Sequence, residues 1–455
     1  MPLSADNLLY PMTPHRFFPQ TEADVAAMLK ACGVADIDDL YADVPPGLRL
    51  RKPYNLPPAL SEPEVRDFFA DMEAHCMPLT CFAGAGVYDH YTPAVVEAIT
   101  ARSEYLTAYT PYQPEISQGT LQYIFEYQSM MAELTGLDVC NASLYDGSTA
   151  TAEAMVMAVN ASRKRRRILL SATVNPAVAR VAATYAGCHG ITVEIIPEHD
   201  GVTDKAELEE MLSAGDVAGV VCQTPNYNGI IEDLSGVAEK VHAAKALLII
   251  NSPASALAVI KPAGEWGADI AVGEAQSLGM PMNYGGPYLG YMCCTRALMR
   301  KMPGRIVGAT TDADGQRVFV LTLQAREQHI RREKATSNIC SNQGLMTLHA
   351  AVYMSLMGAD GLREVNRLSA GGAHLLADRL EATGQMHLSY PDKPYLNEFR
   401  MTLRDGLTTH AVLRSLADNG ILGGVAIDER EMLIAVTERR TPEEIFRYES
   451  IVKTL

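Results

Sequence analysis

The sequence reads WGADIAVGEAQSLGMPMNYGGPYLGY at residues 266–291, with apolar runs on either side of a loop broken by glycine and proline. This pattern predicts a short buried strand at 269–272 and a second apolar strand within 288–294. Because strand ends and glycine backbones can approach a ligand closely, the stretch is a favourable place for a binding site. No lysine occurs between Lys261 and Lys301.

Upstream of this stretch, predicted strands alternate with predicted helices. One helix is signalled by Asn175 as its cap, Pro176 at its first position and Gly187 at its end. Strands joined by helices need right-handed crossovers, and their sheet is covered on both faces. The sequence therefore predicts a largely parallel sheet, with strands at 139–142, 167–170, 191–196, 217–222 and 246–250 ahead of the one at 269–272.

Changes in composition divide the chain into three predicted regions. Residues 1–60 are rich in proline and predict an arm, with one helix capped by Thr21, that lies across another subunit or across its own chain. Residues 61–315 predict a large α/β domain, and residues 316–455 a small α+β domain. The basic stretch 326–334 is predicted to be helical, and either to pair with internal carboxylates or to dock an acidic partner.

Composition and charge narrow the function classes. The 455 residues include 38 basic and 54 acidic side chains, a formal charge of −16, which disfavours nucleic-acid binding. Nine scattered cysteines without a CxxC pair indicate reduced thiols, and His90, His189 and His242 lack companions at metal-ligand spacing. Because no apolar run reaches the roughly 18 residues of a membrane span and no signal-peptide pattern occurs, we expect a cytoplasmic protein.

The clearest local signal is a turn of small and hydroxylated residues between a predicted strand and a predicted helix. The amides and hydroxyls of Gly147, Ser148 and Thr149 would form a cradle for a phosphate or another anion at the helix N-terminus. An ordinary N-cap by Ser143 or Asp146 explains the same residues. The Asp146 carboxylate would also compete with a phosphate for the donors.

Two further stretches carry polar or aromatic side chains. Residues 275–279 (AQSLG) resemble the serine elbow of hydrolases, with Ser277 as the nucleophile. An elbow needs a helix directly after it, and Pro281 argues against one here. The loop at 104–118 holds three tyrosines, which either pack within the loop or line a pocket with their hydroxyl groups.

Taken together, these stretches resemble the P-protein family of the glycine cleavage system, the pyridoxal-phosphate-dependent glycine decarboxylases, and specifically the N-terminal half or separate first subunit. The matching segments are 82–96 (FAGAGVYDHYTPAVV), 107–154 (beginning TAYTPYQPEISQG) and 326–343 (REQHIRREKATSNICSNQ). The resemblance implies an aspartate-aminotransferase-like fold of the pyridoxal-phosphate-dependent transferases. This fold has a mostly parallel seven-stranded sheet with helices on both faces, plus a smaller α+β C-terminal domain.

The resemblance also places the residues on which this chemistry depends. Enzymes that use pyridoxal phosphate need a lysine for the resting Schiff base and an acid beside the pyridine nitrogen. The family pattern puts a histidine and then the lysine ahead of the glycine-rich loop, where this chain has Gln276 and Ser277; the acid position carries Asn251. Serine cannot form the imine, and a neutral amide cannot hold the pyridinium by charge. The resemblance therefore implies a subunit with no catalytic residue of its own.

The implied protein is the first, alpha-type subunit of a two-chain glycine decarboxylase whose lysine-bearing second subunit binds pyridoxal phosphate. The complex, expected to be a heterotetramer, would decarboxylate glycine and transfer the aminomethyl group to the lipoyl H-protein. Five residues on polar or aromatic loops of the matching segments are expected to reach the shared active site. They are Tyr109, Tyr112, Gln113, Ser337 and Asn338.

Two other interpretations stay open from the sequence. The first is a self-sufficient enzyme, either one that uses a distant lysine such as Lys261 or a hydrolase that uses Ser277. The lysine-free window and the missing helix argue against these two versions, respectively. The second is a scaffold or regulatory subunit with no share in any active site, whose loop substitutions would change assembly but not the partner's kinetics.

Overall fold

The computed structural model describes residues 19–49, 52, 55–58, 60–162, 164–283, 285–324 and 328–455, with only the backbone at residue 329. The chain divides after Met77 into two compact units, Met1–Met77 and Pro78–Leu455. The domain boundaries predicted at residues 60 and 315 stay predictions.

Helices and strands are numbered in chain order. The α-helices are α1 (Glu22–Cys32), α2 (Glu62–Ala74), α3 (Ala94–Thr100), α4 (Ser103–Leu106), α5 (Gln118–Thr135), α6 (Gly147–Ser162), α7 (Pro176–His189), α8 (Lys205–Leu212), α9 (Val237–Ala243), α10 (Gln328–Arg331), α11 (Gly344–Ala382), α12 (Thr409–Asp418) and α13 (Pro442–Lys453). The strands are β1 (Thr80–Cys81), β2 (Val139–Cys140), β3 (Arg167–Ser171), β4 (Thr192–Ile196), β5 (Glu198–His199), β6 (Val202–Thr203), β7 (Val217–Gln223), β8 (Leu247–Asn251), β9 (Ile270–Glu274), β10 (Gly290–Cys294), β11 (Ile306–Thr311), β12 (Arg317–Thr322), β13 (Met386–Leu388), β14 (Glu398–Leu403), β15 (Ile421–Leu422), β16 (Val425–Ala426) and β17 (Glu431–Ala435).

The unit that ends at Met77 contains α1 and α2, and both begin with a reciprocal capping box. Thr21 and Asp24 form the first box, and Ser61 and Glu64 form the second. Each box satisfies N–H groups that the first turn leaves without helical partners. Among the described residues of this unit, none is buried.

The second unit is built around a seven-stranded sheet in the order β2-β10-β9-β8-β7-β3-β4. The strands from β9 through β8, β7 and β3 to β4 run parallel, whereas β10 runs antiparallel to both β9 and β2. The predicted mostly parallel sheet is confirmed. Because the parallel strands end at one edge, the residues that follow β7, β8 and β9 lie side by side.

Apolar helix faces cover both sides of this sheet. One core cluster joins alternate strand residues such as Val220 and Leu248 to Tyr127 of α5 and Val241 of α9. The opposite cluster joins Val221 and its neighbours to α6 and α7. Side chains of successive strand residues point to opposite faces, so a strand buried on both sides is apolar along its length, as β7 is from Val217 to Cys222.

A separate antiparallel sheet, in the order β13-β14-β17-β16, packs with its own apolar cluster against the end of α11 and against α12 and α13. Helix α11 is interrupted at Gly358, where φ is 58°. The chain from 82 to 91 returns to this region, because the backbone N–H of Ala435 donates to the carbonyl of Phe82. This return brings Glu398, the first residue of β14, close to the edge of the larger sheet.

Two predicted elements differ from the structure. Helix α7 does not end at Gly187 but continues to His189, because Gly190 is the residue that adopts the left-handed conformation of a C-cap, with φ of 61°. The helix predicted at 326–334 is confirmed only at Gln328–Arg331, where α10 is a single turn; Arg332, with φ of 52°, begins a 3-10 turn. Residues 326 and 327 lie outside the described residues.

Candidate functional site

A cleft of about 200 Å³ lies where the parallel strands end. Its floor is formed by the last residues of β7, β8 and β9, and one wall by the N-terminus of α6. The polar side chains that line it are those of Asp146, Ser148, Asn175, Gln223, Asn251, Glu274 and Glu398, together with three tyrosines. In open α/β sheets a crevice at the carboxyl ends of the strands is the usual ligand site.

The N-terminus of α6 points at this cleft, and side chains of the protein accept hydrogen bonds from it. The N–H of Thr149 donates to an Asp146 carboxylate oxygen at 2.6 Å. The N–H of Gly147 donates to Oε2 of Glu274 at 3.0 Å. The predicted N-cap by Asp146 is thus present, while Ser143 does not act as the cap but accepts instead from the N–H of Gln343.

Glu274 is the last residue of β9, and three backbone amides hold its carboxyl group. Besides Gly147, the N–H groups of Gln276 and Leu289 donate to Oε1 at 2.9 Å and 3.0 Å. Burial raises the pKa of Glu274 to about 7, and the nearby charge of Asp146 adds to this, although the three N–H groups oppose the shift. Sequence analysis overlooked this residue; a carboxylate at a strand end, directly before a glycine-rich loop, was the signal for it.

Asn251 ends β8 and lines the cleft. Its Nδ2 donates to Oγ1 of Thr151 on α6 at 2.8 Å. The side chain is almost fully buried. An amide in this place supplies hydrogen bonds but no negative charge.

Gln276 and Ser277 are both buried, and neither is among the described residues that line the cleft. Gln276 joins two loops: its Nε2 donates to the carbonyls of Tyr88 and Met280, and its Oε1 accepts from the N–H of Tyr88. The Ser277 hydroxyl oxygen accepts from the N–H of Ser255 at 3.2 Å. Both side chains therefore have structural roles.

Glu398 enters the cleft from β14 and was not found by sequence analysis. It accepts from the N–H of Ala85 at 2.6 Å and from the hydroxyl of Tyr88 at 2.9 Å. Burial raises its pKa to about 7 against these two hydrogen bonds. Because this contact spans more than 300 positions of the chain, no local sequence pattern could have revealed it.

The five residues expected at a shared active site lie in two different places, and none of them lines this cleft. Tyr109 and Gln113 are exposed on the loop before α5. Tyr112 is half-exposed; its hydroxyl accepts from Nη2 of Arg305 at 2.8 Å, and its ring lies 4.8 Å from the guanidinium carbon. Ser337 and Asn338 line a second cavity of about 220 Å³ beside Glu153.

Clustered metal ligands, disulfides or a membrane-spanning helix would each indicate a different function. Nowhere in the described part of the chain do three histidine, cysteine, aspartate or glutamate side chains cluster as they would around a metal ion. All nine cysteines are free thiols. None of the described helices is long and apolar enough to cross a membrane.

Comparison with known proteins decides the family. The family model described as glycine cleavage system P-protein matches residues 15–452. The chain belongs to this P-protein family. A similar relative is the probable glycine dehydrogenase (decarboxylating) subunit 1 of Geobacillus thermodenitrificans, which is 49% identical over 443 residues, covering 95% of this chain and 98% of the relative.

Solved structures agree with this membership of the P-protein family. The crystal structure of a glycine decarboxylase (P-protein) of the glycine cleavage system, in inhibitor-bound form, is 41% identical with a TM-score of 0.87 and covers 96% of this chain and 99% of that one. Alanine–glyoxylate aminotransferase from Nostoc sp. is 16% identical with a TM-score of 0.59, covers 92% and 99%, and bears on the fold alone. The predicted aspartate-aminotransferase-like fold is confirmed.

Pyridoxal phosphate is the cofactor implied by the P-protein family and by this fold. The residues of the cleft do not fit it. No lysine is among the cleft's described lining residues, Asn251 has no charge, and the carboxylate of Glu274 already accepts from the Gly147 amide at the helix N-terminus, where a phosphate would be held. The described lining of the cleft therefore supplies neither a lysine to anchor this cofactor nor a free helix N-terminus to hold its phosphate.

Proposed function

We propose that this P-protein is the non-catalytic subunit of a two-chain glycine decarboxylase whose second subunit carries the Schiff-base lysine and binds pyridoxal phosphate. It is a subunit of glycine dehydrogenase (decarboxylating), and its relatives are named subunit 1 of that enzyme. The complex decarboxylates glycine and passes the aminomethyl group to the lipoyl H-protein. It assembles in the cytoplasm as a heterotetramer.

The observation that carries this proposal is the chemistry of three positions. Ser277 stands where the lysine would be, Gln276 where the preceding histidine would be, and Asn251 where the acid would be. All three are engaged in hydrogen bonds within the fold. Because these three positions hold neither a lysine amine nor a carboxylic acid, they provide no group for covalent catalysis with the cofactor.

The loop before α5 supports a contact with the second subunit. Its large apolar side chains face solvent in the isolated chain: Tyr109 is 79% exposed and Ile116 is 82% exposed. Aromatic side chains are enriched at protein interfaces, and a contiguous exposed group of them is unusual in a monomer. In our proposal Tyr109, Tyr112 and Gln113 reach toward the partner's active site, with Ser337 and Asn338 contributing from the second cavity.

A self-sufficient enzyme is less well supported. The ammonium group of Lys261 lies 3.9 Å from the centre of the Trp266 ring, and Lys261 is not among the described residues that line the cleft. A hydrolase is disfavoured because the Ser277 hydroxyl is buried and accepts from Ser255. No specific observation favours a scaffold without a share in the active site.

The decisive experiment asks whether pyridoxal phosphate binds covalently to this chain and whether the chain is active alone. The purified chain is incubated with pyridoxal phosphate, its visible absorption is recorded before and after borohydride, and glycine-dependent release of carbon dioxide is measured with and without the lysine-bearing subunit. We expect no borohydride-fixed cofactor on this chain and carbon dioxide release only when both subunits are present. A cofactor fixed covalently to a lysine of this chain would contradict the proposal.

A further inference from the structure

The N-terminus of α6 is the natural anion site of the cleft. The helix has 16 residues, and its aligned peptide dipoles concentrate partial positive charge on the first N–H groups. In this chain a carboxylate of the protein itself is the acceptor, since Oε2 of Glu274 lies 3.0 Å from the Gly147 nitrogen. The helix therefore has an anionic partner in the folded chain without any ligand.

The backbone forces Glu274 into this place. A Cβ atom on Gly147 would lie 2.7 Å from the Glu274 nitrogen, so the helix and the end of β9 are in direct contact. A Cβ on Gly290, at the start of β10, would lie 2.2 Å from the carbonyl oxygen of Asp146. With Oε1 also held by two N–H groups across the loop, the carboxylate has little freedom to move aside.

The charge of the cleft also disfavours the binding of a phosphate. Three carboxyl groups line it, those of Asp146, Glu274 and Glu398, and no lysine or arginine is among its described lining residues. A phosphate entering the cleft would meet carboxylates where phosphate sites normally offer cations and free N–H groups. Loss of the lysine alone would not create this arrangement.

We propose that Glu274 is a built-in anion that takes the place of a cofactor phosphate at the α6 N-terminus and closes this cleft to pyridoxal phosphate. The inference rests on the proposed function, because it explains how a two-chain enzyme with two similar folds directs the cofactor to one of them only. Glu274 acts here as a residue that excludes a ligand, through its charge and its hydrogen bond to Gly147.

The test measures anion binding to the full-length chain. Inorganic phosphate and pyridoxal phosphate are titrated, by equilibrium dialysis, into the wild-type chain and into Glu274→Ala and Glu274→Gln variants. The ¹⁵N-labelled Gly147 amide resonance locates binding in the cleft. We expect no phosphate-dependent shift in the wild type and at least about a tenfold gain in phosphate affinity in Glu274→Ala, because a helix N-terminus that loses its anion binds another.

The matched control is Glu153→Ala. The carboxyl group of Glu153 is also buried, but it lies on α6 and lines the second cavity instead of the cleft. This variant should gain no phosphate binding at Gly147. Glu274→Gln retains an oxygen that can accept one N–H and guards against loss of folding in the alanine variant. If neither variant folds, the wild-type titration still decides, since saturable phosphate binding at its Gly147 amide would overturn the inference.

The result separates this inference from the proposed function. Glu274 variants that fold but gain no phosphate binding would dismiss the built-in anion, while partner-dependent decarboxylation would remain. A wild-type chain that forms a borohydride-fixed imine would instead dismiss the proposed function. An active two-chain complex together with a gain of phosphate binding in Glu274→Ala would support both.

Discussion

Three carboxyl groups near the start of α6 share one electrostatic property. Burial raises the pKa values of Glu153, Glu274 and Glu398 to about 7. Each is desolvated more than its hydrogen bonds compensate, so each binds its proton more tightly in the folded chain than in the unfolded chain. These groups make the stability of the fold dependent on pH near neutrality.

Glu398 gives the clearest test of this dependence. Its pKa is raised from 4.5 to about 7 on folding, so between these values the folded state holds a proton that the unfolded state has lost. Its contribution to stability is therefore largest at low pH and is lost as the pH rises through about 7. Glu398→Gln should flatten the decline of unfolding free energy between about pH 5 and 7 by up to about 1.4 kcal/mol per pH unit. Denaturant unfolding across this range measures the effect.

The control for this prediction is Glu429→Gln, which removes an exposed carboxylate of the same small sheet region. It should leave the pH profile of stability unchanged. A Glu398→Gln profile parallel to that of the wild type would show that this group titrates alike in the folded and unfolded chains.

Tyr112 is the residue at which the shared active site can be tested. Tyr112→Ala should lower the turnover of the two-chain complex by about tenfold, equivalent to about 1.4 kcal/mol of activation free energy, without dissociating the complex. Tyr112→Phe keeps the ring beside Arg305, so it separates the effect of losing the hydroxyl on turnover from the effect of losing the ring packing. Tyr91→Ala, an exposed tyrosine outside this loop, is the control. Unchanged turnover in an intact Tyr112→Ala complex would remove Tyr112 from the shared site.

At the scale of elements, the contact between α6 and β9 depends on a glycine. Gly147→Ala would place a Cβ 2.7 Å from the Glu274 nitrogen and 2.9 Å from the Gly273 carbonyl carbon, so we expect a loss of about 1–3 kcal/mol in unfolding free energy. Gly187→Ala in α7 meets nothing within 4 Å and should instead stabilise by about 0.4–1 kcal/mol. Equal effects of the two changes on the denaturation midpoint would contradict the close contact.

The elements that were predicted from sequence are those whose signals are local. The N-caps at Thr21 and Asn175 and the apolar strands β7 and β8 follow from patterns of a few residues. The end of α7 was predicted wrongly because Gly187 and Gly190 can each end a helix. The local sequence does not distinguish between them, and only the tertiary fold decides which one forms the C-cap.

The candidate site was predicted only in part, for a physical reason. Asn251 could be placed because it ends a recognisable strand. The hydrogen bonds from Gly147 to Glu274 and from Ala85 to Glu398 join segments 127 and 313 positions apart. Such pairings depend on how the sheet and the small domain fold together, and a single sequence does not encode them in any local pattern.

At the scale of the whole molecule, the N-terminal unit exposes large apolar side chains of the kind that form protein interfaces. On α2 the side chains of Phe68, Phe69 and Met72 are all more than half exposed. The double change Phe68→Ser with Phe69→Ser should weaken association with the lysine-bearing subunit by at least about tenfold, because large apolar side chains dominate interface energies. Analytical ultracentrifugation measures the association. Arg66→Gln on the same helix is the control, and equal affinity of both variants would place the interface elsewhere.

The charge distribution suggests a second contact. In a chain with a formal charge of −16, the segment that holds Arg332 and Lys334 is locally basic, and both residues are exposed. Changing both to glutamate should slow association with the lipoyl H-protein by about tenfold at low salt and reduce the salt dependence of the rate. Stopped-flow measurement at several ionic strengths tests this. Lys453→Glu, on α13, serves as the control, and an unchanged rate would exclude the basic segment.

The built-in anion of α6 has a consequence for the chain in the cell. A protein that binds its cofactor only when folded gains stability as the cofactor concentration rises, by mass action. The carboxylate of Glu274 belongs to the chain, so the helix N-terminus is satisfied at every cofactor concentration. The abundance of this subunit should therefore stay constant when a cell is starved of the vitamin precursor, while that of the partner subunit that we propose binds the cofactor should fall.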